Sequence, residues 1–132
     1  MLNHAVIGDF KANNRPKGGG HSEQAISELN RRSISYSITR ASSNGVRFGN
    51  IPSHDAKSKR TGEGQTWFPQ LWTEHDIYAA GIAAANKGQN IHGYGKEILY
   101  NGVNVRAIYT NGVISSVMPS YDQKTRQLLT RK

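Results

Sequence analysis

The chain reads as an α+β protein, an N-terminal helix and hairpin packed beside a C-terminal antiparallel sheet with one helix of its own, the cleft lying between the halves. Three features predict it. Two Asn-Gly dipeptides, Asn101-Gly102 and Asn111-Gly112, separate β-rich runs in the last third, the turn chemistry of a three-stranded meander. Helical stripes follow His21 and Thr73, the first ending in a basic pair and the second opening on a capping residue. The 132 residues suit one domain, large enough for its own core and too small for two. Within it, residues 1–64 form a histidine-bearing half with a basic loop, 65–119 a helix and meander, and 120–132 a basic tail.

The first stretch is His4-Ala-Val-Ile-Gly-Asp-Phe10, followed by a basic linker containing Lys11, Arg15 and Lys17, then Gly18-Gly19-Gly20-His21. Glycine and proline in the linker let the backbone turn, so both imidazoles can face one cleft. From Ser22 to Arg32, Ala25, Ile26 and Leu29 form one helical stripe that ends in a basic pair, which places His21 at or just before a helix N-terminus. Ile34, Tyr36 and Ile38 alternate with Ser35, Ser37 and Thr39, and Asn44-Gly45 turns the chain into a second strand over Val46–Ile51, a hairpin.

Between Pro52 and Gly64 apolar residues thin out and His54, Lys57, Lys59 and Arg60 collect in a basic loop. Trp67, Phe68 and Trp72 are expected to anchor the core rather than to stack on bases. Thr73-Glu-His-Asp76 has capping-box spacing ahead of Ile77, Ala80, Gly81 and Ala84, predicting a helix over about 73–86. His75 should be an exposed first-turn residue, and His92 a strand-edge residue. A short helix around Thr125 to Leu129 is expected in the polar tail.

Seventeen Lys and Arg against nine Asp and Glu leave a net charge of +8, which draws the protein to polyanions and makes nucleic acid the first candidate partner. A membrane surface fits less well, because no segment joins a long apolar face to clustered cations. With no cysteine, disulfides and thiolate zinc sites are excluded. No apolar run has membrane-spanning length and the N-terminus lacks signal-peptide order. The expectation is a protein that stays in the cytosol, or a piece of a larger carrier that does the exporting, with no membrane anchor of its own.

Two histidines near one cation suit acid–base cleavage of RNA. One ring takes a proton from the ribose 2′-hydroxyl and the other gives one to the leaving 5′-oxygen, which imidazole can do near its ordinary pKa of about 6.5. Lys57 or Lys59 supplies charge for a phosphate oxygen, and Gln65 and Thr66 offer hydrogen bonds to phosphate, sugar or base. Two rival readings are a non-catalytic RNA-binding module and a metal nuclease using His54, Asp55, His75 and Asp76. The latter residues lack a recognised metal-ligand spacing.

The motifs His4-x-Val-x-Gly-Asp-Phe10, Gly19-Gly20-His21, Gly49-Asn-Ile-Pro-x-His54 and Lys57-x-Lys-Arg-Thr-Gly-x-Gly-Gln-Thr-Trp-Phe-Pro69 together resemble the EndoU-like endoribonucleases. Within that family they match the toxin branch found at the ends of contact-dependent inhibition and other polymorphic toxins. Trp72-Thr-x-x-Asp-Ile77, Ala80-Gly81 and Thr110-Asn-Gly-x-Ile114 ahead of Pro119 continue the likeness over nearly the whole chain. The resemblance implies an EndoU-like fold and RNA transesterification to a 2′,3′-cyclic phosphate, with no cofactor and no metal. The target is tRNA or another structured RNA in the cytoplasm of a competitor bacterium, delivered by a secreted or cell-surface effector, with an acidic immunity protein as partner. Carried over by position, His4 and His21 are the catalytic histidines, with base and acid unassigned. Lys59 is the lysine, with Lys57 as its competitor; Gln65 and Thr66 contact the nucleotide. His54 is open between substrate contact and loop hydrogen bonding. At Met118, before Pro119, many members carry an aromatic residue that stacks on the nucleotide. The departure puts uridine preference in question, with Tyr121 a possible substitute.

Overall fold

A computed structural model describes residues 2–87 and 93–123. The expected positions of His92 and of the tail helix lie outside the described residues.

The chain adopts the α+β class with antiparallel sheets. It starts with a short helix α1 (Leu2–Val6) and a two-strand ribbon, β1 (Asp9–Phe10) and β2 (Pro16–Gly18). Helix α2 (Glu23–Arg31) follows, capped by Ser22, with Ala25, Ile26 and Leu29 buried as the stripe requires. Strands β3 (Ser37–Ala41), β4 (Arg47–Asn50) and β5 (Gln65–Trp67) form one sheet in that order. A 3-10 turn over Lys57–Lys59 interrupts the basic loop between β4 and β5.

The capping box opens helix α3 (Glu74–Lys87): Thr73 Oγ1 accepts from the Asp76 amide at 3.2 Å, and Asp76 Oδ2 accepts from the Thr73 amide at 2.8 Å. The meander is β6 (Gly93–Tyr100), β7 (Val103–Thr110) and β8 (Val113–Pro119). Both of its turns place Asn and Gly at positive φ, 48° and 80° at Asn101-Gly102 and 51° and 83° at Asn111-Gly112, as two-residue hairpins need.

The first strand of the hairpin differs from expectation. It starts at Ser37 rather than Ile34, because Ser33 turns at φ 58° and the Ile34 amide donates back to the Leu29 carbonyl at 2.9 Å. Ile34 and Tyr36 thus pack on Ile26, Leu29, Ile51 and Trp67, while Ile38 is left exposed. The alternation of residues 34–38 reflects a helix-end wrap followed by an edge strand.

The larger core unites both halves. Ala5 and Val6 of α1, Val46 and Phe48 beside and in β4, and Phe68 meet Ile77, Ala80 and Ala84 of α3 and the inner residues of β7 and β8. Small side chains along α3 let it lie close on the sheet. Trp67 and Phe68 are fully buried, and Trp72 stacks on Phe68 at 5.0 Å between centroids, so these aromatics anchor the core as expected.

Candidate active site

The junction of α1 with the triple glycine builds the centre. The last carbonyls of a helix have no partner within it, and here three consecutive ones are met by three consecutive residues. The Gly20 amide donates to the His4 carbonyl at 2.8 Å and the His21 amide to that of Ala5 at 2.6 Å. Ser22 Oγ donates to that of Val6 at 2.6 Å. This seam lays His21 alongside His4. It also explains Gly19, whose φ is +66° and where any Cβ would collide with the His4 carbonyl oxygen.

The two rings sit in different surroundings. His4 is half-buried, and its Nδ1 lies 2.7 Å from Asp9 Oδ2. The carboxylate accepts, so Nδ1 carries the proton and Nε2 is left to exchange one. His21 is buried, with Nδ1 2.7 Å from the Thr66 carbonyl oxygen. A carbonyl can only accept, so this Nδ1 is protonated too. The 3.4 Å approach of Gln65 Nε2 is then a contact of two donors, and that amide donates to the carbonyls of Gly20 and Thr66 at 3.2 and 3.0 Å. Burial first and the Lys59 charge second hold the His21 pKa well below the ordinary imidazole value, so at neutral pH the ring is uncharged with a lone pair on Nε2.

Lys59 is the candidate cation. It is half-buried at the end of the 3-10 turn, where its carbonyl accepts from the Ile51 amide at 2.9 Å, and burial brings its pKa down to about 8. Its charge depresses His21 and His54, and that of His4 also acts on His21, so the structure gathers His4, His21 and Lys59 into one electrostatic neighbourhood. Lys57, two residues earlier, is exposed.

A family model described as bacterial EndoU nuclease matches residues 1–121. The chain belongs to the bacterial EndoU nuclease family. Comparison with curated proteins and with solved structures gave no match. The family makes this chain a nuclease.

Around the centre of this EndoU nuclease, His54 resolves in favour of loop hydrogen bonding. It is buried, and its Nδ1 accepts from the Ala56 amide at 2.8 Å. It is the opposite tautomer to His21, and burial, then Lys59, pushes its pKa down to about 4. Arg60 clamps the same loop by donating to the carbonyls of His54 and Asp55 at 2.8 and 3.0 Å. His75 is exposed, as expected. No group of three or more His, Asp or Glu side chains is arranged to hold a metal among the described residues.

Gln65 and Thr66 are fully buried in the EndoU chain, and Thr66 Oγ1 donates to the Pro119 carbonyl at 3.1 Å. The Gln65 amide donates to the Gly20 and Thr66 carbonyls, and it is the Thr66 backbone carbonyl, not a side chain of either residue, that holds the His21 ring. Met118 is buried and lines a cavity with Tyr94, Arg106 and Tyr121. Sequence reasoning passed over Asp9 as a partner of His4, although it lies inside the first motif. Tyr94 and Arg106 gave no local signal, since strand pairing brings them together.

Proposed function

We propose that this nuclease is a metal-independent endoribonuclease that cleaves tRNA or another structured RNA by transesterification, acting as the toxin of an interbacterial competition system. The observation that carries the reading is the asymmetry of the two histidines: a neutral, buried ring with a free Nε2, and a ring paired to a carboxylate, both beside a lysine still charged at neutral pH.

In the proposed reaction His21 Nε2 takes the proton of the 2′-hydroxyl as the 2′-oxygen bonds to phosphorus. The bond from phosphorus to the 5′-oxygen breaks, and His4 Nε2 gives that oxygen its proton. Lys59 offsets the charge on the non-bridging oxygens. The products are a 2′,3′-cyclic phosphate and a 5′-hydroxyl. Base, acid and cation are all protein groups, so none of these roles calls for a metal. Asp9 orients His4, and the Thr66 carbonyl orients His21.

The net charge of +8 suits RNA and equally an acidic immunity protein that covers the centre in the producing cell. The domain would be carried by a secreted or cell-surface effector and act in the cytoplasm of the target.

The test is incubation with total bacterial RNA in EDTA, beside His21→Ala, with analysis of fragment ends. Cleavage to cyclic phosphate by the wild type alone is the expected result. Cleavage by His21→Ala overturns the role of that ring, loss of activity in EDTA overturns metal independence, and salt-sensitive binding without cleavage points to a binding module.

A further inference from the structure

We infer that the groove between the ribbon turn joining β1 to β2, the segment after α2 and the start of the basic loop is an exosite for the sugar-phosphate backbone of the RNA, away from the scissile bond; the inference rests on the RNA-cleaving reading above. Asn13, Asn14 and Arg15 of the ribbon turn form one wall, Arg32 and the residues that follow it the second, and Pro52 with Ser53 the third. The space is about 690 Å³, and no carboxylate lines it among the described residues.

Two arginines line the groove, and each is held in place. Arg15 Nε donates to the Ser53 carbonyl at 2.9 Å, and the turn that carries it is closed by the Lys11 amide on the Arg15 carbonyl at 2.9 Å and the Asn14 amide on the Lys11 carbonyl at 2.8 Å. Among the described residues no carboxylate pairs with Arg15, because the nearby Asp55 is taken by Lys11 at 3.1 Å. A guanidinium anchored through Nε keeps its other two nitrogens as a fork that matches a phosphate. Arg32 lies 3.7 Å over the Phe10 ring and donates to Asn14 Oδ1 at 2.7 Å and to Glu28 at 2.6 Å. Glu28 serves Arg31 as well, so the end of α2 keeps an excess of positive charge. The lining matches a backbone better than a base or a protein partner. Its one nearby ring, Phe10, is covered by Arg32, and its apolar residues are only Ile34 and Pro52. The remaining Asn and Ser side chains are neutral groups suited to phosphate oxygens and 2′-hydroxyls.

The groove adjoins the proposed centre. Ser53, which holds Arg15, directly precedes the buried His54, and the Asp55 amide donates to the Pro16 carbonyl at 2.7 Å. Phe10, beneath Arg32, joins Pro16, His54 and the triple glycine around a small cavity on the inner side. The charges of Lys59 and of Arg15 both act on His54, so centre and groove lie in one electrostatic neighbourhood. An RNA held at Lys59 therefore presents a neighbouring stretch of its backbone to Arg15.

The experiment measures binding of unfractionated bacterial tRNA to His21→Ala protein between about 50 and 200 mM salt, alone and with Arg15→Gln, Arg15→Lys or Asn14→Asp added. We expect Arg15→Gln to weaken binding at least about threefold at the low-salt end and to reduce the slope of log K against log salt by about 1. Arg15→Lys should restore most of the slope. Asn14→Asp keeps an acceptor for Arg32 but adds a charge that repels phosphate, so it should weaken binding with circular dichroism unchanged. In the otherwise wild-type protein, Arg15→Gln should raise KM for tRNA while leaving kcat, and the cleavage of a ribodinucleotide too short to reach the groove, as they were. A slope that Arg15→Gln leaves unchanged, or an equal loss on tRNA and dinucleotide, overturns the exosite. Weakened binding of polyglutamate with tRNA binding intact would give the groove to an acidic protein instead. Because binding needs no cleavage, a wild type that leaves RNA intact while its tRNA binding keeps the Arg15-dependent slope would overturn the RNA-cleaving reading and leave the exosite standing.

Discussion

His21 Nδ1 donates to the Thr66 carbonyl oxygen at 2.7 Å, while at His54 Nδ1 accepts from the Ala56 amide at 2.8 Å. One neutral ring therefore presents a lone pair at Nε2 and the other a proton. This separates a ring able to act as base from a ring that holds a loop, and it does so through backbone groups alone.

The pH dependence of cleavage follows. His21 is held well below the ordinary imidazole value by burial and Lys59, so as the proposed base it stays unprotonated well into mild acid, and the acid limb should lie below about 6.5. Lys59 loses its proton near pH 8, so kcat/KM should begin to fall at or below that pH. In Lys59→Arg the loss of charge is removed from the alkaline limb. A wild-type profile still rising between pH 8 and 10 would contradict the role given to Lys59.

Stability should run against function at Lys59. Burial lowers its pKa from 10.5 to about 8 in the native state, so between those values the unfolded chain binds the proton and the native one does not. Stability therefore rises with pH across that window, and below it the folded protein carries the cost of a buried charge. Lys59→Met should remove the rise and stabilise the protein at pH 7 by about 1–2 kcal/mol while abolishing cleavage. Urea unfolding at pH 7 and pH 10 measures both. His21 and His54 have the same sign in acid: their folded values are depressed, so stability falls as pH drops below about 6.5.

Gly19→Ala should damage the seam that joins the two histidines. The residue sits at φ +66°, and a Cβ there meets the His4 carbonyl and comes within 2.8 Å of its ring. The left-handed conformation alone costs roughly 1 kcal/mol, and relief of the clash requires moving His4 or the loop. The expected outcome is a loss of more than about 2 kcal/mol, with activity reduced beyond the loss of folded protein. Thermal unfolding with single-turnover cleavage separates the two effects.

What was legible in the sequence was local. Asn-Gly turns, the Thr73 capping box and the Ala25, Ile26 and Leu29 stripe each decide their element within a few residues, and the structure follows them. Helix α1 has five residues and β1 and β2 have two and three, too short for any periodicity to show, and they exist because α1 packs on α3 and β8. Strand β5 is three buried residues, recognisable only once β4 is there to pair with it. The burial of His54 and the meeting of Tyr94 with Arg106 depend on packing and on strand register. His4, His21 and Lys59 were named through family likeness, but the tautomers that separate the rings depend on Asp9 and Thr66, the second of which is 45 residues from His21.

Ser22 offers the sharpest test that the centre depends on the joint between α1 and α2. Its hydroxyl donates to the Val6 carbonyl at 2.6 Å and accepts from the Ala25 amide at 3.1 Å, and the residue is buried. Ser22→Ala removes a helix cap and strands a buried carbonyl at once, a cost of about 2 kcal/mol that lowers Tm by about 5–10 °C. Because Ser22 is the third rung of the seam that carries Gly20 and His21, the ring of His21 should also lose its fixed distance from His4. Single-turnover cleavage well below the unfolding transition should slow by tenfold or more, read with the folded fraction held above about nine-tenths. An unchanged rate with a lowered Tm would mean that the hydrogen bonds of Gly20 and His21 hold the histidine pair without it.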